Sequence, residues 1–594
     1  MLRPQDNARR EARRLDGLWD FAVDTQGVGR DKGWWRGPLA NATPMPVPSS
    51  YNDILVDPAV HEHVGDVWYQ RTVFAPRGWD GQRVVLRFDA ATHRASVWVD
   101  DTHVVSHEGG YTPFEADITD AIEPGIEARL TVAVNNELTW HSIPPGIVEV
   151  MPGGQRRQRQ YHDFFNYAGL NRGVWLYSTA RSHIADVAVI TDIEDGIGIV
   201  GYSTVIDEPG ATTVKVQLLD AEGATVAAAT GDEGELQVSP PHLWQPRNAY
   251  LYEFRVDLMD GEDLIDRYVL PVGIRTVRVE ESRFLINDEP FYFRGFGMHE
   301  DLNVRGRGHD DASTVHDFAL LRWLGANSFR TSHYPYAEEV LDLADQLGIV
   351  VIDETAAVGL NLGVGGGLFL GGSKTTFSEE TIGSATQATH RRAIEELIAR
   401  DKNHPCVVLW SLANEPESHT DEARVYFEPL FDLARKSDPT RPVGFVNMMF
   451  AQPDACKVSE LADVVMINRY YGWYVEPGDL VAAERGLERE LLAWVDRHGK
   501  PIIVTEYGAD AMPGLHTLDA VVWSEEYQAA LLDTYHRVFD RIDGVVGEQV
   551  WNFADFATPP SFMRVDGNKK GVFTRDRHPK AAAHHLRRRW LASS

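Results

Sequence analysis

From about residue 277 onward, short apolar runs alternate with helix-like stretches, and this alternation constrains the fold more than any other feature of the chain. FYFRGFG (291–297) precedes TVHDFALLRWLG (314–325), ANSFRTSHY (326–334) precedes AEEVLDLADQLG (337–348), and IVVIDET (349–355) precedes RRAIEELIARD (391–401). CVVLWSLANEP (406–416), RPVGFVNMM (441–449), DVVMINRYY (463–471), PIIVTEYGAD (501–510) and VVGEQVWNFADF (545–556) continue the series. Continuous apolar strands on a βα alternation indicate a parallel sheet covered on both faces. Eight of them over about 300 residues predict a (β/α)8 barrel across 277–594. A doubly wound sheet is the competing reading, and the count of eight disfavours it.

Ahead of the barrel the pattern is all β. VWYQRTVF (67–74), RVVLRFDA (83–90), RASVWVDD (94–101) and RLTVAVNN (129–136) are short, rich in valine and aromatics, and separated by turn residues. They predict a jelly-roll sandwich over 1–182. HIADVAVITDI, TVKVQLLDAEG, YLYEFRVDLMDG and RYVLPVGIRTV then predict an immunoglobulin-like β-sandwich over 183–276. The net charge of −31 argues against nucleic acid and anionic membranes as partners. No apolar run is long enough to span a bilayer, and the charged N-terminus lacks the apolar core of a secretory signal. Two cysteines, Cys406 and Cys456, cannot make a disulfide scaffold, and no Cys/His spacing suggests a metal site. A reducing, cytoplasmic setting is the expectation, with no cofactor or metal.

In a barrel of this kind the active site lies where the strands end. The polar residues there are Arg294, His299, Glu300, Arg330, His333, Asp353, Glu354, Asn414, Glu415, Asn468, Tyr470, Tyr474, Glu506, Trp551, Asn552 and Asp555. The set is carboxylates, amides and aromatics. It contains no serine in a G-x-S-x-G turn, no Cys–His pairing and no phosphate loop. Glu415 in LWSLANEP and Glu506 in IIVTEYG end the fourth and seventh strands, across the barrel mouth from each other. Glycoside hydrolysis needs such a pair, one to protonate the leaving oxygen and one on the other side of the anomeric carbon.

At these residues the sequence resembles glycoside hydrolase family 2, and within it the β-glucuronidases. HEGGYTPFEADIT (107–119), HDFFNYAGLNRGVWLY (162–177), RTSHYPY (330–336), ARDKNHPCVVLWSLANEPE (399–417), NRYYGWY (468–474), TEYG (505–508), VWNFADF (550–556) and NKKGVFTRDRHPK (568–580) carry the resemblance in order along nearly the whole chain. It implies Glu415 as general acid/base and Glu506 as nucleophile of a retaining exo-β-D-glucuronidase. It implies that Asn414 bonds the sugar 2-hydroxyl and that Tyr470 orients the nucleophile. His333, Trp551 and Asp163 would hold other ring hydroxyls, Asp163 from the jelly roll. Arg330 and Arg294 read instead as ion-pair partners inside the barrel. It further implies a homo-oligomer, a tetramer, acting on small-molecule β-glucuronides.

The sugar is read from a basic turn. RVDGNKKGVFTRDRHPK (564–580) holds six Lys/Arg against two Asp, a local +4. Screening acts over roughly 8–10 Å at physiological salt, so a local cluster governs its own site. Asn568 and Lys570 resemble the carboxylate clamp of the glucuronidases, with Arg564 and Tyr474 adding to it. β-Galacturonidase, which would use the same clamp, and β-galactosidase stay open as alternatives, as does a carbohydrate-binding protein with an inactive barrel, though both glutamates are present. The glycine-rich stretch 361–380, with Leu368, Phe369, Leu370 and Phe377, resembles a long loop over the aglycone side and reads equally as a lid or a loop without a role.

Overall fold

The computed structural model describes residues 1–208, 210–363 and 374–592. The core of the 361–380 stretch, residues 364–373, lies outside the described residues, and the lid reading lies there with it.

Eight parallel strands close into a barrel: β1 (Phe293–Gly297), β2 (Ser328–Arg330), β3 (Val350–Glu354), β4 (Val407–Asn414), β5 (Val443–Asn447), β6 (Val465–Asn468), β7 (Ile502–Glu506) and β8 (Val545–Val550). Closure pairs Phe293 with Gly547 and Phe296 with Val550. Every residue of β3 through β8 is buried, as expected of strands covered by helices outside and packed side chains inside. The covering helices are α1 (Asp311–Leu324), α2 (Glu338–Leu347), α3 (Ser384–Asp401), α4 (Asp421–Ser437), α5 (Leu480–His498), α6 (Glu525–Phe539) and α7 (Ala581–Ala592). Asp310, Thr420, Asp479 and Ser524 cap four of them through side-chain oxygens. The β5–β6 connection carries no helix among the described residues.

Two sandwiches precede the barrel. A six-stranded and a four-stranded antiparallel sheet enclose a core that includes Trp19, Leu86, Val97 and Leu176. A three-stranded and a four-stranded sheet enclose a second, around Val187, Val216, Phe254 and Val272. Residues 1–10 leave the first sandwich: Arg10 pairs with Asp266 of the second at 2.6 Å, and Arg3 with Glu339 of α2 at 2.5 Å. A separate hairpin, Gly146–Val150 with Arg156–Gln160, rises from the first sandwich. The chain leaving it carries Phe164 onto the barrel mouth, its ring 5.2 Å from His299 and 6.2 Å from His333.

Candidate active site

Glu506 ends β7 and is 4% exposed. Its Oε1 accepts from the Arg330 guanidinium at 2.6 Å, and its Oε2 accepts from the Tyr470 hydroxyl at 2.6 Å. Arg330, at the end of β2, also donates to both oxygens of Glu354 at 2.8 and 2.9 Å. The Arg330 charge, with bonds from His333 and Ser411, outweighs the burial of Glu354 and holds its carboxyl below the usual range. Glu354 is therefore ionised and accepts from His333 Nδ1 at 2.8 Å. That turns His333 Nε2 toward Glu506 Oε1, 3.7 Å away. The Trp551 ring stacks on His333 at 5.0 Å. Glu506 thus accepts from two side-chain donors, Arg330 and Tyr470.

Glu415 follows β4 at a sharp turn. Its φ is +53°, a left-handed conformation that costs a non-glycine residue on the order of 1 kcal/mol. Its N–H bonds the Val446 carbonyl of β5 at 2.9 Å. Among the described residues one side-chain donor reaches its carboxylate: Asn468 Nδ2, 2.9 Å from Oε1. Thr505 donates to Asn468 Oδ1 at 2.9 Å and so fixes which way that amide faces. Asn468 also bonds Asn414 Oδ1 at 3.2 Å, which leaves the Asn414 NH2 as the group it can offer a ligand. Burial first, and the Glu506 charge second, push the Glu415 carboxyl up to about 7, against the pull of Asn468. Two carboxyls at the ends of non-adjacent strands, β4 and β7, therefore differ in environment. Glu506 is bonded by a guanidinium and a phenol, whereas Glu415 is bonded by one amide and has its carboxyl raised to about 7.

The basic turn lies beside them. Lys570 is 1% exposed and Asn568 1% exposed, so neither is on a solvated loop. Lys570 Nζ donates to Asp510 at 2.5 Å and to the Tyr474 hydroxyl at 2.9 Å, and faces the rings of Tyr470, Trp473 and Tyr474 at 4.8–5.6 Å. Asn568 Oδ1 takes the Lys570 N–H at 3.0 Å, which leaves its NH2 to present. Arg564 donates to Asp163 at 2.5 and 2.9 Å and to Tyr474 at 2.9 Å. Asp163 and Arg564 therefore face each other, and the half-exposed Asp163 carboxylate is committed to that pair rather than pointing free.

The chain matches the model of "Glycosyl hydrolases family 2, TIM barrel domain" over residues 277–593. It matches the family's sugar binding domain over 12–180 and its third domain over 182–275. The chain belongs to glycosyl hydrolase family 2. A β-glucuronidase of Paenibacillus borealis is 50% identical over 99% of this chain and 98% of that protein. The mouse β-glucuronidase is 46% identical over 99% and 92%. Among solved structures, a β-D-glucuronidase of Dictyoglomus thermophilum superposes with a TM-score of 0.94 at 43% identity, covering 100% of this chain and 99% of that one. The Ruminococcus gnavus β-glucuronidase in complex with uronic isofagomine gives 0.95 at 41%, covering 99% of each.

This family 2 site gathers more residues than its sequence announces. Arg330 reads as a structural ion-pair residue, yet one of its nitrogens bonds Glu506 directly. Glu354 and Asn468 stand at strand ends without an evident role, yet Glu354 holds Arg330 and Asn468 bonds Glu415. Asp510 ends the PIIVTEYGAD segment; the signal for it is that a cationic turn needs counter-charges. The local +4 of that turn disappears in three dimensions. Arg564 meets Asp163, Lys569 meets Asp566, Lys570 meets Asp510, Arg575 meets Asp301, Arg577 meets Asp317 and Lys580 meets Asp555. A linear count omits acids that other segments deliver. Far from the mouth, at the start of β4, Asp345, His404 and Cys406 form the one metal-like grouping among the described residues. Its atoms are engaged: His404 Nδ1 and the Cys406 N–H bond the two Asp345 oxygens at 2.6 and 2.8 Å. No helix among the described residues is long and apolar enough to cross a membrane.

Proposed function

We propose that this chain is a retaining exo-β-D-glucuronidase in which Glu506 is the nucleophile and Glu415 the acid/base. The observation that carries the reading is the opposed environments of the two carboxyls. In the first step Glu506 forms a bond to the anomeric carbon as the glycosidic C–O bond breaks, and Glu415 gives its proton to the departing alcohol. In the second, Glu415 takes a proton from water. That water attacks the same carbon, the ester to Glu506 breaks, and glucuronate leaves with its β-configuration retained. Arg330 and Tyr470 hold the Glu506 carboxylate in place for attack and bond it again when it leaves. Asn414 bonds the sugar 2-hydroxyl; His333 and Trp551 hold other ring hydroxyls.

The sugar carboxylate is recognised by Lys570, Asn568, Tyr474 and Arg564. An ammonium has three N–H donors, and two of those on Lys570 are taken by Asp510 and Tyr474, so the third is left to aim at a ligand oxygen. Asp163 reaches the sugar hydroxyls by turning away from Arg564. The relatives named β-glucuronidase support this choice of sugar. The buried, unpaired thiols of Cys406 and Cys456 support a reducing, cytoplasmic setting. The family resemblance carries the further proposal of a homotetramer, which light scattering tests.

The deciding experiment compares turnover of aryl β-D-glucuronide, β-D-galacturonide and β-D-galactoside, with Glu506→Ala as control. The glucuronide is expected to turn over fastest. A galacturonide meets the same clamp, and its preference would move the assignment to β-galacturonidase. Preference for the neutral galactoside would overturn the clamp.

A further inference from the structure

Asp510 is a carboxylate with no solvent exposure that the proposed chemistry does not use. It stands four residues beyond Glu506, where the chain passes Trp551 so closely that a Cβ on Gly508 would lie 2.3 Å from the Trp551 carbonyl oxygen. Only glycine fits there, and its φ of +156° suits it. That passage delivers Asp510 beneath the 568–571 segment. Its Oδ1 accepts the Lys569 N–H at 2.8 Å, and its Oδ2 accepts Lys570 Nζ at 2.5 Å with Arg564 NH1 3.5 Å away. The segment is pinned from other sides as well. Gln528 Nε2 donates to the Lys570 and Gly571 carbonyls at 3.1 and 3.2 Å, and Lys580 Nζ to the Lys569 carbonyl at 2.8 Å. The backbone of the clamp is therefore held several times over. The Lys570 ammonium is not: among the described residues its one anionic partner is Asp510.

Burial alone would raise the Asp510 carboxyl, but the Lys570 and Arg564 charges outweigh it and hold it below the usual range. The Asp510 carboxylate fixes one of the three Lys570 donors, Tyr474 fixes the second, and the direction of the third follows from tetrahedral geometry. Asp510 also offsets Lys570 while Asp163 offsets Arg564, so an empty site carries no excess charge to trap arbitrary anions.

We propose that Asp510 is a positioning residue that sets selectivity for a sugar carboxylate by aiming the Lys570 ammonium. This rests on the glucuronidase reading above. The test measures kcat/KM of the full-length enzyme on aryl β-D-glucuronide and on the neutral aryl β-D-galactoside, for wild type, Asp510→Asn, Lys570→Ala and the double variant. Asp510→Asn is expected to lose about tenfold or more on the glucuronide, the scale of one charge-assisted hydrogen bond. It should leave the low galactoside rate unchanged. On the Lys570→Ala background the same substitution should add nothing. Equal losses on both substrates would make Asp510 merely structural, and a loss undiminished without Lys570 would show that it does not act through that lysine; either overturns the proposal. Should Asp510→Asn not fold, Asp510→Glu keeps the charge and moves it by one methylene. Selective glucuronide loss is again expected, and wild-type selectivity in that variant would sink the proposal. A wild type that ignores glucuronides would instead remove the functional reading, and this inference with it. A selective wild type beside an equally selective Asp510→Asn would remove this inference alone.

Discussion

The two halves of the site are built in opposite ways. Glu415 and Glu506 sit at the ends of β4 and β7, and their partners Arg330, Glu354 and Asn468 are themselves strand-end residues of the same barrel. The clamp lies on a segment without a helix or strand of its own, and its cations are held by Asp163 from the first sandwich and Asp510 beyond β7. A barrel that closes correctly places the first half automatically. The second half depends on ion pairs between residues 60 and 401 positions apart. Buried ion pairs stabilise little by themselves, because desolvation offsets much of the attraction. What they supply here is direction. On the proposed reading, the reaction is a property of the barrel, and the choice of sugar is a property of long-range charge pairing.

Substitutions in the two halves should separate this division, and the largest effect belongs to the barrel half. Glu506→Ala should cost about 10⁴-fold or more in kcat on every glycoside, as removal of a nucleophile does. A residual rate that still discriminates sugars by their kcat would blur the two halves. Glu415→Ala should cost about 10²–10⁴-fold, the range of general acid–base catalysis, and least where the leaving aryl oxide needs no proton. A loss independent of leaving group would contradict its role as acid.

The smallest effect is a shift in pH dependence. In its proposed role Glu415 must be protonated to act, and burial raises its carboxyl to about 7, so kcat/KM should fall as pH rises through that value. Asn468 stabilises the ionised form, so Asn468→Ala should raise the pKa and move the alkaline limb to higher pH. A limb that moves downward, or stays fixed, would show that another group titrates. In Glu506→Gln the neighbouring charge is gone, and Glu415, followed by carbon NMR, should titrate lower than in wild type.

Much of this was legible in the residues themselves. The eight apolar runs specify the barrel because a strand covered on both faces must be apolar along its whole length, and CVVLWSLAN and PIIVTE meet that requirement. The strand-end rule then leads to Glu415 and Glu506 without knowledge of any contact. The rest was not legible because it depends on what other segments deliver. Lys569 and Lys570 look like a solvated turn, and only the fold shows them 9% and 1% exposed. Arg330 looks like a barrel ion-pair residue, which it is with Glu354, but it also bonds Glu506, and no local pattern distinguishes one partner from two. The cationic excess of 564–580 was an artefact of counting along the chain.

The division of labour is tested most directly by one ratio: kcat/KM for an aryl β-D-glucuronide over that for its uncharged C6 amide, in wild type and in Lys570→Ala. If the barrel performs the reaction and the clamp selects the sugar, the variant should lose about 100-fold on the glucuronide, the scale of a buried charge-assisted contact, and almost nothing on the amide. The ratio would then collapse while the chemistry survives. A variant that loses both substrates equally would contradict the division and place Lys570 within the reaction itself.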